Sequence, residues 1–187
     1  MKTFLAGLTL LLATYAQAAT VTALSLPDLA RQADRIVHAS CLSATAETSP
    51  TGIRTRYRFA VEETVKGSAS ATAELVLPGG TVNGRRCRIP GMPVFAPGDE
   101  VVLFITPAGQ QVTGWPVGLG QGKFRVSRDP AAKVARVYQD LQGLNLAMPP
   151  RTSGAEATVG NGATLTGFLQ TVRRLVASTG TGDAHGR

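Results

Sequence analysis

Residues Ile53 to Gly67 read IRTRYRFAVEETVKG, and no other stretch limits the fold so tightly. Ile53, Thr55, Tyr57, Phe59 and Val61 alternate strictly with Arg54, Arg56, Arg58, Ala60 and Glu62. On a helix these two sets would mix around the cylinder; on a strand they separate into an apolar and a polar face. The β-branched and aromatic residues on the apolar side suit a half-buried strand, and Lys66-Gly67 ends it. A strand of this length must pack on partners, so the chain is expected to be mainly β.

The partners follow in order. Ser25 and Asp28 have capping-box spacing, and Pro27 suits a first turn, which predicts a short helix over Leu26 to Ala33. Ile36 to Ala44 reads as a strand, and the turn cluster Thr48 to Gly52 makes it a hairpin with the central one. Ala71 to Leu77 follows as a strand. Pro78 to Asp99 is a long Gly/Pro-rich connection of the kind that is often functional. EVVLFIT, Glu100 to Thr106, reads as a strand buried on both faces, with further strands at Gln111 to Val117, Lys123 to Ser127 and Lys133 to Tyr138. The division is 19–146 for the β domain, 147–163 for a linker, 164–179 for a C-terminal helix and 180–187 for a tail. Phe168, Leu169, Val172, Leu175 and Val176 recur at helical spacing, so that helix is expected to dock back on the domain.

Residues 1–18 carry the pattern of a cleaved export signal: Lys2, an apolar run from Phe4 to Leu12, then Ala16-Gln17-Ala18. The run is shorter than the ~20 residues a membrane span needs. A secreted or periplasmic chain starting at Ala19 is the expectation, with no transmembrane segment after cleavage. Its charge would be (19 − 1) − 12 = +6, an excess that favours polyanions. In an oxidising compartment the two cysteines, Cys41 and Cys87, read as a disulfide closing a loop of 87 − 41 − 1 = 45 residues. Such a bridge contributes about 4 kcal/mol by chain-entropy reasoning.

Catalytic signatures are missing. The histidines, His38 and His185, belong to no metal-binding spacing, and His38 reads as a strand-face residue. Glu62 and Glu63 are adjacent on a strand and should point to opposite faces. GLGQGK, Gly118 to Lys123, lacks the spacing and the Ser or Thr of a phosphate loop. No motif calls for a cofactor. What remains is arginine: Arg54, Arg56 and Arg58 on one strand face, Arg85, Arg86 and Arg88 in the long connection. Planar guanidinium groups at strand spacing suit carboxylate, phosphate or sulfate, and these six are the candidate binding residues.

The segments ADRIV, FAVEETVKG, PGG and FAPGDEVVLF resemble, in this order, a group of uncharacterised secreted bacterial proteins. The arrangement is also similar to the netrin-like domains of tissue inhibitors of metalloproteinases. The resemblance implies an OB-like (netrin-like) barrel of five to six strands with a short N-terminal helix and a C-terminal amphipathic helix. It does not carry inhibition with it, since those inhibitors grip the protease zinc through an N-terminal cysteine and this chain would begin with Ala19. The functional expectation is non-enzymatic binding, to a protein or an anionic envelope component and not to nucleic acid. Protease inhibition through the Pro78–Asp99 loop is the alternative, followed by a hydrolase with an unrecognised site.

Overall fold

The alternating stretch is a strand, β3 (Gly52–Lys66), and it pairs antiparallel with β2 (Arg35–Ser49). The structure, a computed structural model, describes residues 19–109, 113–141, 143–147 and 160–180. The expected export signal, most of the expected linker and all of the expected 180–187 tail but Gly180 lie outside the described residues. Ser49 faces Gly52 across the hairpin, which leaves Pro50 and Thr51 as its loop. Thr55, Tyr57 and Phe59 are buried and Arg54 and Arg58 exposed, as the alternation requires.

Three register shifts interrupt the β2–β3 ladder, between Ile36 and Val37, His38 and Ala39, and Cys41 and Ser43. The middle one changes the reading of β3. Ala39 pairs with Val61 and His38 with Glu63, so Glu62 is an extra residue. An inserted residue reverses the side-chain parity beyond it. Val61 accordingly packs in one hydrophobic cluster and Val65 in the other. The expected opposition of Glu62 and Glu63 fails for this reason, because both reach the same side of the sheet.

Four further strands complete an antiparallel sheet: β4 (Thr72–Pro78), β7 (Glu100–Ile105), β8 (Lys123–Asp129) and β9 (Val134–Gln139), in the order β4-β3-β2-β7-β8-β9. Edge strands β4 and β9 do not pair with each other, so the sheet is open and the expected barrel is not closed. Each edge is met by irregular chain instead. The Val76 amide donates to Thr113 Oγ1 at 2.8 Å, and Val137 exchanges bonds with Ala163 and Gly162. The expected Gln111–Val117 strand is reduced to a bridge between Ile105 and Pro116, residues 110–112 lying outside the described ones. Two short strands that the sequence reading missed, β1 (Ala19–Thr22) and β10 (Leu144–Ala147), pair in parallel.

Strand β7 is buried on both sides, as its unbroken apolar run implies. Val102 and Phe104 face a cluster with α1 (Leu26–Gln32) and α2 (Leu165–Gly180). Val101, Leu103 and Ile105 face a second cluster with Tyr57, Phe59 and Phe95. Helix α1 starts at the expected capping box, in which Ser25 and Asp28 bond reciprocally. Helix α2 docks through Phe168, Leu169 and Val172, and the Phe168 and Phe124 rings lie 4.7 Å apart.

The motifs behind the family resemblance are joints of this scaffold. Lys66 donates to the carbonyls of Ala30 and Ala33, satisfying the C-terminus of α1. A Cβ on Gly67 (φ +86°) would lie 2.8 Å from the Asp34 carbonyl oxygen, so VKG and ADRIV lock together. Ala96-Pro97-Gly98-Asp99 is a tight turn with φ +92° at Gly98, closed by the Asp99 amide on the Ala96 carbonyl at 3.0 Å.

Candidate functional site

The long 79–99 connection is built more firmly than its composition suggested. Asn83 (φ +50°) and Gly84 (φ +75°) form a primed two-residue turn between β5 (Gly80–Val82) and β6 (Arg85–Cys87). Asn-Gly is a strong hairpin signal by itself, although Arg85 and Arg86 rather than apolar residues follow it here, and the sequence reading missed this element. The hairpin rests on the central strands: Thr55 Oγ1 donates to the Gly79 carbonyl at 2.7 Å, and Gly80 packs against Thr55, Ala46 and Ile53. Farther along, the Phe95 ring inserts between Tyr57 and Phe59 with centroid distances of 5.0 and 5.1 Å, both edge-on. Buried Lys123 donates to the Val94 carbonyl at 2.7 Å and lies 4.7 Å above the Phe95 ring.

A rigid, partly apolar cleft results. It encloses about 260 Å³ between the hairpin and residues 88–94, with Tyr57 and Met92 in its lining. Val94 is 65% exposed although its neighbours Pro93 and Phe95 are buried, and Ile89 at the same cleft is also exposed. Arg85, Arg86 and Arg88 are exposed, and Arg86 and Arg88 line the cleft. No described carboxylate lies within 4.0 Å of these three guanidinium groups.

The strand arginines have a different environment. Arg54 Nε donates to Glu47 at 2.7 Å, and Arg56 pairs with Glu74 and lies 3.6 Å from Glu47. These cross-strand partners neutralise most of the row. The hairpin lies over Thr55 and Ala46, on the face opposite Arg54, Arg56 and Arg58, so the six arginines do not form one surface.

Cys41 and Cys87 are free thiols in this structure. Cys41 is buried opposite Phe59, with Sγ 3.6 Å from the Ser43 carbonyl, and burial raises the pKa of its thiol. Cys87 pairs with Gly80, which packs on Thr55, four positions from Phe59 along β3.

A polar cluster occupies the helix-bearing face of the sheet beyond the helices. His38 on β2, 6% exposed, brings Nε2 to 2.8 Å from Glu100 on β7 and 3.4 Å from Glu62 on β3. Arg128 on β8 forks both Glu100 oxygens at 2.6 and 2.5 Å, and Ser40 donates to Glu62. Burial works to raise the Glu100 pKa, but the hydrogen bonds from Arg128 and His38 outweigh it and hold the carboxyl below its ordinary value. The facing donors of His38, Glu62 and Glu100 all lie within 4.8 Å of one another, the arrangement in the described chain that could hold a metal ion. The sequence could not announce it, since His38 and Glu100 are 62 residues apart and three different strands bring the donors together.

GLGQGK serves the fold. Gly120 and Gly122 pack against backbone in a short 3-10 turn, and the buried Gln121 side chain bonds the Leu24 amide at 2.8 Å and the Thr22 carbonyl at 3.0 Å. Lys123, committed to Val94 and Asp140, has no freedom to meet a phosphate. No family model matches this chain, and no curated protein matches it.

Proposed function

We propose that this is an exported, non-enzymatic binding domain that engages an acidic partner, a protein or an anionic envelope component, through the β5–β6 hairpin and the 88–94 segment. The observation that carries this reading is the set of three arginines, without a carboxylate partner among the described residues, around a cleft whose rim exposes Ile89 and Val94. Arginine is enriched among the residues that dominate protein interfaces, and it is favoured where carboxylates or phosphates are met in two-pronged fashion. A rigid loop also loses little conformational entropy on binding. Export rests on the N-terminal signal pattern, and for an exported chain envelope polyanions are a more natural target than nucleic acid. The finer fold reading, an OB-like netrin-type domain, rests on the shared motifs; the bulged β2–β3 hairpin supports it, and the open edges make it a departure from a closed barrel.

One feature favours protease inhibition as a second reading: Val94 projects from a segment anchored on both sides by buried Pro93 and Phe95, as a residue presented to a protease pocket would be. Affinity capture on the immobilised mature protein separates the two. Under the first reading an acidic partner is retained and lost with Arg86→Ser/Arg88→Ser. Under the second an active protease is retained and lost with Val94→Asp. Capture unaffected by either variant would contradict both.

A further inference from the structure

We infer that His38, Glu62 and Glu100 form a binding site for one divalent cation of the zinc class, independent of the hairpin cleft. The three donors come from three strands, β2, β3 and β7, and adjacent hydrogen-bonded ladders fix their spacing. Zinc takes imidazole nitrogen and carboxylate oxygen at about 2.0–2.2 Å, so two ligands of a tetrahedral ion stand about 3.3 Å apart. His38 Nε2 is already 2.8 Å from Glu100 and 3.4 Å from Glu62, within about half an ångström of that spacing, and the two carboxylates, within 4.8 Å of each other, close the rest of the gap by a turn of Glu62.

The surroundings divide into a fixed and a movable part. His38 and Glu100 are held in place, with side-chain exposures of 8% and 14%, whereas Glu62 is 41% exposed and can turn about its own bonds. Ser40 Oγ donates to Glu62 and helps orient it, as second-layer hydrogen bonds do for metal ligands. Three protein ligands leave a fourth tetrahedral position for water or for a partner's side chain. Two carboxylates and a neutral imidazole carry a charge of −2, which a dication balances. Arg128, on the exposed rim, supplies part of that balance by its fork on Glu100 and is free to swing outward when the ion enters. Imidazole with two carboxylates is a borderline donor set that suits zinc over calcium or magnesium, which prefer oxygen alone.

The test uses the mature chain stripped with chelator and titrated with zinc chloride by calorimetry, while the His38 ring signals are followed by NMR. Expected are one saturable site per chain, displaced His38 ring signals, and a melting temperature that rises with zinc concentration. Glu62→Gln, a change at a half-exposed position that the fold should tolerate, should weaken binding at least tenfold. Arg128→Ala should bind zinc at least as tightly as the unchanged chain. Retention of full affinity by Glu62→Gln, or zinc binding that leaves the His38 signals in place, would mean adventitious binding, for instance at His185, and would overturn the site. So would the absence of saturable binding in the unchanged chain.

Discussion

Removing the Phe95 ring tests whether the long connection is part of the core. Phe95 is 3% exposed and contacts Tyr57 and Phe59 edge-on, while the Lys123 ammonium sits over its face. Truncation of a buried Phe to Ala costs about 3–5 kcal/mol, the lost transfer free energy plus the cavity left behind. The lower half of that range applies if the 88–96 segment relaxes into the space. With a urea m-value of about 2 kcal/mol/M, a loss of about 3 kcal/mol moves the midpoint down by about 1.5 M. That is a large part of a total stability of about 5–15 kcal/mol. Equilibrium urea unfolding followed by fluorescence of Trp115 gives the number, with Val94→Ala as the control. The control side chain points to solvent and should shift stability by no more than about 0.5 kcal/mol. A Phe95→Ala loss under about 1 kcal/mol with unchanged m would refute the account of the loop as a packed platform.

Asp28 is held below its ordinary pKa, first by the Ser25 hydroxyl and then, against the pull of burial, by the Ser25 amide and Arg31. Its stabilising effect is therefore present above the unfolded value of about 3.8 and lost as pH falls through the folded value. Asp28→Asn should cost about 1 kcal/mol at pH 7, and the difference from the unchanged chain should shrink in thermal melts below about pH 4. A penalty independent of pH would remove the carboxylate from the cap. For the thiols, the folded protein should react with a thiol reagent at Cys87 well before buried Cys41, and the unfolded protein at both; a linked peptide in non-reducing mapping would contradict the arrangement.

The sequence was most informative where one local rule decided the outcome. Period two in β3, the continuous apolar run of β7 and the Ser25–Asp28 box each predicted an element whose burial or capping the structure shows. Spacing of Phe168, Leu169 and Val172 likewise predicted the docked face of α2. Four-residue strands such as β1 and β10 have too little periodicity to stand out, and their parallel pairing joins segments from opposite ends of the domain. Sheet closure depends on whether edges meet, which irregular residues such as Thr113 and Ala163 decide. The site was half legible. The hairpin arginines were picked out by type, but the neutralisation of Arg54 and Arg56 depends on Glu47 and Glu74 in neighbouring strands. One inserted residue turned Glu62 and Glu63 to the same side, which alternation alone forbids.

The central claim, that the hairpin arginines and not the strand arginines carry anionic binding, is tested most directly by salt-gradient elution from a sulfated polysaccharide column. The unchanged mature chain is compared with Arg85→Ser/Arg86→Ser/Arg88→Ser and with Arg54→Ser/Arg56→Ser/Arg58→Ser, each confirmed folded by its melting curve. Both variants lose the same three charges, so net charge alone would shift them equally. The hairpin variant should elute at markedly lower salt. The strand variant should shift much less, since Arg54 and Arg56 are already paired with Glu47 and Glu74 and only Arg58 is unpaired among the described residues. Equal shifts in the two variants, or a larger shift in the strand variant, would contradict the claim.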